Sequence, residues 1–296
     1  KFLVNKHKLN WHLDRVNDWN KGKKIAPLYI DMGITQTCNI KCQYCYYATP
    51  ENRTTKIITL ENFKKFAVDC AEIGVKGLGI LGDGEPMVHP DCYDMTIAGA
   101  EAGIDMCLST NGTVMPKEKF VDFLGSLSFI RFNISAATPE TYSKIMGTSP
   151  KMFDLVKKNI TRCVEAKQKH NLKTTIGMQM VLVEECVKDI VPYTKLAKEL
   201  GVDYIMIKQC SEHGVLPHGI VPKDYNLYED LYKESEGYIG DDFSVFIKRV
   251  KMNNTNRKYH KCFGTNFLPQ IDGAGDVYPC GNWFQSKEFN MGNIND

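Results

Sequence analysis

The chain has 296 residues, of which 43% are hydrophobic and 24% are charged, so its composition is that of a globular protein and excludes a disordered or fibrous one. Its 37 basic and 35 acidic residues leave a formal charge of +2, which gives no support for binding nucleic acid or an anionic membrane. No apolar run approaches the roughly 20 residues that cross a bilayer, and no signal peptide opens the chain, so we expect a cytoplasmic protein.

The pattern along the chain predicts a parallel α/β fold. Residues 1–27 indicate a polar, helical lead-in, after which apolar strands alternate with helical segments. The predicted strands lie at 28–34, 77–81, 104–109, 129–135, 173–183 and 203–208, and the predicted helices at 60–73, 91–102, 117–124, 139–145, 153–167, 187–200 and 227–234. Right-handed crossovers would curl these units into an open, partial (β/α)6 TIM-like barrel with its functional site at the carboxyl ends of the strands.

The alternation stops near residue 245, which predicts a second unit. Residues 258–296 are rich in Gly, Asn and Cys, with short strands flanked by aromatic residues. We therefore expect a barrel over 28–240 and a small C-terminal β-hairpin domain containing cysteine over 241–296.

Eleven cysteines are many for a chain without a secretory signal, and an odd number does not suit a closed set of disulfides. Cys38, Cys42 and Cys45 fall within eight residues, just after the first predicted strand. Three thiolates in one loop can hold three corners of a cubane iron–sulfur cluster and leave one iron open to a small ligand. The alternative is a structural zinc site, which would need four closed ligands.

The spacing C-x3-C-x2-C, with Tyr44 before the last cysteine, resembles the signature of the radical S-adenosylmethionine (radical SAM) enzymes. The resemblance implies a [4Fe-4S] cluster on the three cysteines, whose open iron binds the amino and carboxylate groups of SAM. It implies cleavage of SAM to a 5′-deoxyadenosyl radical, which removes a hydrogen atom from the substrate. It also implies a flavodoxin- or ferredoxin-type reductant as a partner.

The segment Gly-Asp-Gly-Glu-Pro at 82–86 follows the second predicted strand and is similar to the family's GGEP motif. By this resemblance Gly82, Gly84, Glu85 and Pro86 bind the methionine ammonium of SAM. Glycines allow close backbone approach, and a carboxylate can accept a charge-assisted hydrogen bond from an ammonium group. Asp83 departs from the motif, where the family usually has glycine.

Polar residues at the ends of the next three strands are the other candidates for binding SAM. Ser109 and Asn111 belong to a turn that resembles the family's T-N-G segment, and Asn133 and Ser135 lie where the family contacts the ribose, with Ser135 preferred. Gln179, on the fifth strand, faces the expected adenosine region. The alternative for the serine and asparagine positions is a purely structural role in turns.

The sixth strand ends in Lys208, Gln209 and Cys210, an edge expected to face substrate or adenine. Cys210 is the candidate catalytic thiol, because a hydrogen donor opposite the adenosyl radical would allow epimerisation.

Cys262 and Cys280 bracket a segment that resembles the start of a twitch or SPASM domain, which carries auxiliary iron–sulfur clusters. By this resemblance Gly275 makes the hairpin that brings the two cysteines together around a probable auxiliary [4Fe-4S] cluster. Further ligands would lie beyond residue 296, Cys210 or His260 would complete the site, or no auxiliary cluster forms. The remaining cysteines are expected in the core, where Cys behaves as a small hydrophobe: Cys70, Cys92, Cys107, Cys163 and Cys186.

Three functions are compatible with these residues. The preferred one is oxidation or epimerisation of a small sugar-like or aminoglycoside-like substrate. A second is modification of a ribosomally synthesised peptide, and a third, without catalysis, is an iron–sulfur electron carrier or a zinc-binding interaction module. The cofactor motifs leave the substrate, the reductant and the oligomeric state open.

Overall fold

The computed structural model describes residues 8–45, 47, 55–211, 219–253 and 259–296. Its strands are β1 (Tyr29–Met32), β2 (Gly77–Ile80), β3 (Asp105–Thr110), β4 (Leu127–Asn133), β5 (Thr175–Leu182), β6 (Tyr204–Gln209), β7 (Ser244–Ile247), β8 (Gln270–Ile271) and β9 (Val277–Tyr278). They form one sheet in the order β7-β6-β5-β4-β3-β2-β1-β8-β9, in which every neighbouring pair is parallel except β8 and β9.

The helices α2 to α8 fall between consecutive parallel strands from β1 to β7, as expected for βαβ crossovers. The α-helices are α1 (Leu13–Asn20), α2 (Leu60–Glu72), α3 (Cys92–Glu101), α4 (Phe120–Gly125), α5 (Pro139–Met146), α6 (Lys151–His170), α7 (Ile190–Glu199), α8 (Glu229–Glu236) and α9 (Arg249–Asn253). Short 3-10 helices cover Lys8–Trp11, Pro86–Val88, Glu184–Asp189, Tyr225–Tyr228, Gly264–Asn266 and Gly281–Trp283. In the part of the chain that the structure describes, no helix combines the length and the apolar character needed to cross a bilayer.

The central strands are buried on both faces, which explains why they read as continuous apolar runs rather than as an alternating pattern. All four residues of β2 are buried, and seven of the eight residues of β5 are buried. The five cysteines predicted to lie in the core are indeed buried. The predicted α/β class with a parallel sheet and a partial barrel is therefore confirmed.

Two further parallel strands, β7 and β8, extend the sheet beyond the six predicted ones, and β9 pairs antiparallel with β8. The four-residue strand β7 continues the parallel sheet beside β6, and the two-residue strand β8 pairs parallel with β1 through Asp31↔Gln270 and Met32↔Ile271. Such short segments carry little periodicity of their own, and only the contact with a neighbouring strand defines them.

The N-terminal lead-in is helical over Lys8–Trp11 and Leu13–Asn20 and non-helical over 21–27, and residues 1–7 lie outside the described residues. Helix α1 contains no buried residue, and the side chains of Trp11 and Leu13 are exposed. Trp19 packs edge-on against the rings of Phe263 and Phe267, with centroids 4.9 and 5.6 Å away. The lead-in therefore contacts the C-terminal part of the chain.

Candidate cofactor and substrate site

One cavity lies at the carboxyl ends of β1 to β6, where the strands of a partial barrel converge. The predicted site residues that line it are Cys38, Cys42, Tyr44, Cys45, Gly82, Gly84, Glu85, Ser109, Asn111, Asn133 and Gln179. These residues come from five separate segments of the chain, and they line one cavity because parallel strands end at the same edge of the sheet.

The cysteine loop is held in place by the C-terminal end of α5. The backbone N–H of Gln43 donates to the carbonyl of Ile145 at 2.9 Å, and its side-chain amide donates to the carbonyl of Lys144 at 3.0 Å. These carbonyls belong to the last turn of the helix, where no intrahelical donor is available to them. Gly147 follows in a left-handed conformation (φ 60°), and a Cβ there would overlap the carbonyl of Lys41.

The donor set fits an iron–sulfur cluster with an open side. All three thiols of the loop are half-buried and face the cavity, and thiolates are the preferred protein ligands of such clusters. Burial, followed by the charges of Cys45 and Cys38, raises the pKa of the Cys42 thiol, so a bound metal would be needed to hold it as a thiolate. The cavity continues past the thiols to Glu85, which leaves room for a second ligand beside the cluster.

Glu85 is the buried acceptor of the 82–86 loop. One carboxylate oxygen accepts from the hydroxyl of Thr110 at 2.6 Å and from the N–H of Met87 at 3.0 Å, and the other accepts from the N–H of Asn111 at 2.6 Å. Burial raises its pKa to about 7, against the effect of these three hydrogen bonds. Its neighbour Pro86 starts the 3-10 helix and does not line the cavity.

The two glycines of this loop have a role that the sequence did not indicate. A Cβ on Gly82 would overlap the backbone of Gly33, and one on Gly84 would overlap the carbonyl of Thr35. They are therefore required for close packing of the loop against the chain after β1, in addition to lining the cavity.

Asp83, the departure from the family motif, points away from the cavity and contacts the C-terminal hairpin. Its carboxylate accepts from the N–H of Gly273 at 2.9 Å. Burial, and then the charge of Asp272, raises its pKa to about 7. The loop that carries Glu85 is thus attached directly to the segment that joins β8 and β9.

Ser109, Asn133 and Gln179 form a hydrogen-bonded row across β3, β4 and β5. The amide of Asn133 donates to the Ser109 hydroxyl at 3.0 Å and accepts from the amide of Gln179 at 3.1 Å. The guanidinium group of Arg131 donates to the same hydroxyl at 3.3 Å. The three side chains therefore form one hydrogen-bonded row along the wall of the cavity.

Ser135 does not line the cavity, which corrects the preference for it over Asn133. Its side chain is completely buried, donates to the hydroxyl of Tyr44 at 3.1 Å and accepts from the N–H of Val181 at 3.0 Å. Strand β4 ends at Asn133, so Ser135 lies in the following turn, where the alternation of a strand no longer fixes its direction. The hydrogen bond from Ser135 orients Tyr44, whose hydroxyl also lies 3.4 Å from the sulfur of Met146.

Cys210 is also placed differently from the prediction. The residue is 3% exposed, belongs to the hydrophobic core and does not line the cavity, while its backbone N–H donates to the hydroxyl of Tyr225 at 3.0 Å. Strand β6 ends one residue earlier, at Gln209. Lys208, Gln209 and Ser211 line the cavity instead.

Sequence reasoning missed two contributors to the site. Thr110 holds Glu85, and the only indication was its position inside the T-N-G turn. Met146 lines the cavity, with its sulfur 4.0 Å from the Cys42 thiol, and nothing in its local sequence distinguished it from a core methionine.

The C-terminal cysteines lie on neighbouring segments. Cys262 is exposed and Cys280 is half-buried, and the hydroxyl of Thr265 donates to the carbonyl of Pro279 at 3.2 Å. Gly275 occupies the β8–β9 turn with φ 93°, as the predicted hairpin requires. Among the described residues, no group of three or more His, Cys, Asp or Glu side chains is arranged to hold a single metal ion.

Comparison with known proteins identifies the family. A family model described as the Radical SAM superfamily matches residues 32–192, which is more than half of the chain. The AdoMet-dependent heme synthase of Methanosarcina barkeri is 26% identical over 278 residues, covering 86% of this chain and 77% of that protein. The GTP 3',8-cyclase of Chlorobaculum tepidum is 24% identical over 72% of this chain, which spans only 64% of that relative.

The fold is shared with the solved structure of a protein that binds S-adenosylmethionine. The crystal structure of SuiB from Streptococcus suis bound to S-adenosylmethionine has a TM-score of 0.74 and 17% sequence identity, and covers all of this chain and 71% of that one. The SuiB structure with its precursor peptide SuiA gives a TM-score of 0.72. At this identity the likeness shows the fold.

Proposed function

The chain belongs to the radical SAM superfamily, and we propose that it oxidises a carbon–hydrogen centre of a small hydroxylated substrate. It uses a [4Fe-4S] cluster and SAM, as the family does. When bound and reduced, these cofactors supply a 5′-deoxyadenosyl radical that removes a hydrogen atom from the substrate. Membership of this family sets aside the zinc module and the simple electron carrier.

The residues of the cysteine loop and of the 82–86 loop carry the cofactors in this proposal. Cys38, Cys42 and Cys45 hold the cluster and leave its fourth side facing the cavity. Glu85 accepts from the methionine amino group of SAM, and Asn111 lines the cavity beside it. This assignment is supported by the buried carboxylate, which is ordered by three hydrogen bonds within the protein and still faces the cavity.

The adenosine part of SAM is assigned to the hydrogen-bonded row of Ser109, Asn133 and Gln179 across β3, β4 and β5. Asn133 and Gln179 present amide groups to the cavity, and Ser109 connects them to Arg131. Ser135 acts as a positioning residue because it holds the ring of Tyr44 beside the cysteine loop.

Oxidation is favoured over epimerisation by the positions of the cysteine side chains, and this observation carries the proposal. Epimerisation would need a thiol that returns a hydrogen atom to the substrate. All eleven cysteines lie in the described part of the chain, and those that line the cavity are the three of the cysteine loop. Cys210, the predicted donor, lies in the core.

Peptide modification remains the second candidate. It is favoured by the fold shared with SuiB, which has been solved with its precursor peptide bound. The small substrate is preferred because the strands contribute hydroxyl, amide and ammonium groups to the described lining of the cavity beyond the cysteine loop, beside the apolar Leu81, Met146 and Val181. Such groups bind a hydroxylated molecule through its hydrogen-bonding groups.

The first test is formation of 5′-deoxyadenosine by the anaerobically reconstituted protein. We expect Cys42→Ala to abolish it, since one cluster ligand is lost, and Cys70→Ala, which changes a buried residue of α2, to retain it. If the Cys42→Ala protein cleaves SAM as well as the Cys70→Ala protein does, the proposed cofactor site is wrong.

The reaction type is tested with candidate polyols and peptides in deuterated buffer. Oxidation predicts a new carbonyl or double bond in the product without solvent deuterium at carbon. Incorporation of deuterium at an inverted carbon would establish epimerisation and contradict the proposal.

Oxidation also needs an acceptor for one electron from the substrate, and an auxiliary cluster at Cys262 and Cys280 would supply it. This assignment is supported by the hydrogen bond from Thr265 to the carbonyl of Pro279, which joins the segment that carries Cys262 to the segment that carries Cys280. We expect the double variant Cys262→Ala/Cys280→Ala to lose part of the bound iron and sulfide while it retains SAM cleavage. Unchanged iron content and unchanged turnover would remove the auxiliary cluster from the proposal.

A further inference from the structure

We infer that Lys208 and Gln209, at the end of β6, form a subsite for a substrate that carries an anionic group, either a carboxylate or a phosphate, next to a hydroxyl group. The inference rests on the proposed function, because it names what the substrate of that same cavity must carry. Both residues line the cavity, and neither belongs to the cysteine loop or to the 82–86 loop.

Lys208 brings an unneutralised positive charge into the cavity. Among the described residues, it has neither an ion pair nor a hydrogen-bond partner, whereas Lys167, on the outside of the barrel, is paired with Asp203 at 2.6 Å. A half-buried ammonium without a partner is costly to the folded protein unless a ligand supplies the opposite charge. A ligand bound in the cavity beside Lys208 would supply that opposite charge.

Gln209 provides a second unused group at the same edge. Its amide oxygen is buried and, among the described residues, has no hydrogen-bond partner. Buried polar atoms of this kind are rare in folded proteins. A ligand with an anionic group next to a hydroxyl group would use the ammonium of Lys208 and the amide of Gln209 together.

The surrounding charges are predominantly positive. Arg131 and Lys251 both act on Lys208, and Asp31 is the carboxyl group whose charge opposes them. Burial raises the pKa of Asp31. Burial, and then the two cations, lowers the pKa of Lys208 to about 8, a direction that a bound anion would reverse.

The position of the subsite separates it from the methionine end of SAM. In the sheet order, β3, β4 and β5 lie between β2, which leads into the Glu85 loop, and β6, which carries Lys208. The anion at Lys208 is therefore assigned to the second ligand of the cavity. This excludes the cationic, aminoglycoside-like substrates and selects a carboxylated or phosphorylated polyol.

The test is calorimetric titration of the reconstituted, SAM-loaded protein with inorganic phosphate and, separately, with acetate. We expect Lys208→Met to weaken anion binding by about 10- to 100-fold, the usual loss for a hydrogen bond to a charged group. Lys208→Arg should retain binding, and Lys169→Met, at an exposed position of α6, should leave it unchanged. Tighter phosphate binding would indicate a phosphorylated substrate, and tighter acetate binding a carboxylated one.

Two further measurements distinguish a role of Lys208 in anion binding from a role in folding or in SAM binding. Thermal unfolding should show Lys208→Met to be at least as stable as the wild type, since an unpaired charge is removed. Its SAM affinity should also be unchanged. Equal anion binding by wild type and Lys208→Met, destabilisation of that variant, or a parallel loss of SAM binding would each overturn the inference.

The proposed function fails on a different result. If the wild type binds phosphate through Lys208 but forms no 5′-deoxyadenosine, the subsite stands and the proposed function falls. If SAM is cleaved while anion binding is independent of Lys208, the proposed function stands and the subsite is wrong.

Discussion

At the scale of single residues, the site depends on a carboxylate that burial makes difficult to ionise. Glu85 is 3% exposed, and its pKa is raised to about 7 even though it accepts three hydrogen bonds. Each of those hydrogen bonds favours the charged carboxylate of Glu85, but its removal from water by burial disfavours that charge more strongly. An amino group of a ligand that donates a hydrogen bond to Glu85 would favour the charged carboxylate further, which is a reason to place the amino end of SAM here.

This balance predicts a pH dependence of SAM binding. Below about pH 7 the Glu85 carboxyl is protonated and neutral, and above it the carboxylate is charged, so SAM affinity should rise as the pH increases through 7. Glu85→Gln should weaken binding by about 10- to 100-fold and remove this dependence. Calorimetric titration with SAM between pH 6 and pH 8.5 measures both effects.

The control is Glu101→Gln, at an exposed position of α3, which should bind SAM like the wild type. A Glu85→Gln protein that keeps the wild-type pH profile would show that another group titrates.

At the scale of secondary structure elements, helix α5 supports the cysteine loop. Its N-terminus is capped by Thr138, which accepts from the N–H of Thr141 at 3.2 Å, and its last carbonyls accept from Gln43. The helix then ends at Gly147, whose left-handed conformation is easily adopted only by glycine. The position of the three thiols is therefore coupled to the end of this helix.

Gly147→Ala should consequently impair the cluster. The new Cβ would overlap the carbonyl of Lys41 and displace the cysteine loop, so we expect less iron and sulfide per chain after reconstitution. Gly103→Ala is the matched control, because Gly103 also follows a helix with positive φ (87°) and has nothing within 4 Å of its Cβ position.

Both variants should lose about 1 kcal/mol of stability from the strained backbone, and only Gly147→Ala should lose cluster. Equal cluster content in the two proteins would contradict the role assigned to the helix end.

At the scale of the whole molecule, the C-terminal hairpin is part of the same sheet as the barrel. Strand β8 extends the sheet beside β1, and the amide of Gln270 donates to Asp31 at 3.2 Å. The adjoining turn donates from Gly273 to Asp83, within the loop that carries Glu85. Loss of the hairpin should therefore disturb the SAM site from a distance.

Gly273→Ala tests this connection. Its Cβ would overlap the backbone of Thr35, which would push the turn away and leave the buried Asp83 carboxylate without one donor. We expect a loss of about 1–3 kcal/mol in the free energy of unfolding, faster proteolysis within 264–292, and weaker SAM binding. Urea unfolding and limited proteolysis measure the first two effects.

Gly240→Ala, which has nothing within 4 Å of its Cβ position, is the control and should behave like the wild type. If Gly273→Ala matches it in stability and in SAM affinity, the hairpin does not support the site.

The sequence by itself determined the features that depend on local spacing. Three cysteines within eight residues and the glycines that precede Glu85 are properties of short segments. Both segments lie at the carboxyl edge of the parallel sheet that the strand–helix alternation predicted. Asn111 and Asn133 followed for the same reason, because the ends of parallel strands meet at one edge, and Gln179 lines the same cavity from within β5, opposite Asn133.

Only the tertiary structure decided the direction of side chains just past a strand end and the partners of very short strands. Ser135 and Cys210 follow the last residues of β4 and β6, where the alternation of a strand no longer fixes orientation, and both turned away from the cavity. The two residues of β8 contain too little pattern to specify a neighbour, so their pairing with β1 and the contact of Asp83 with Gly273 arise from long-range packing.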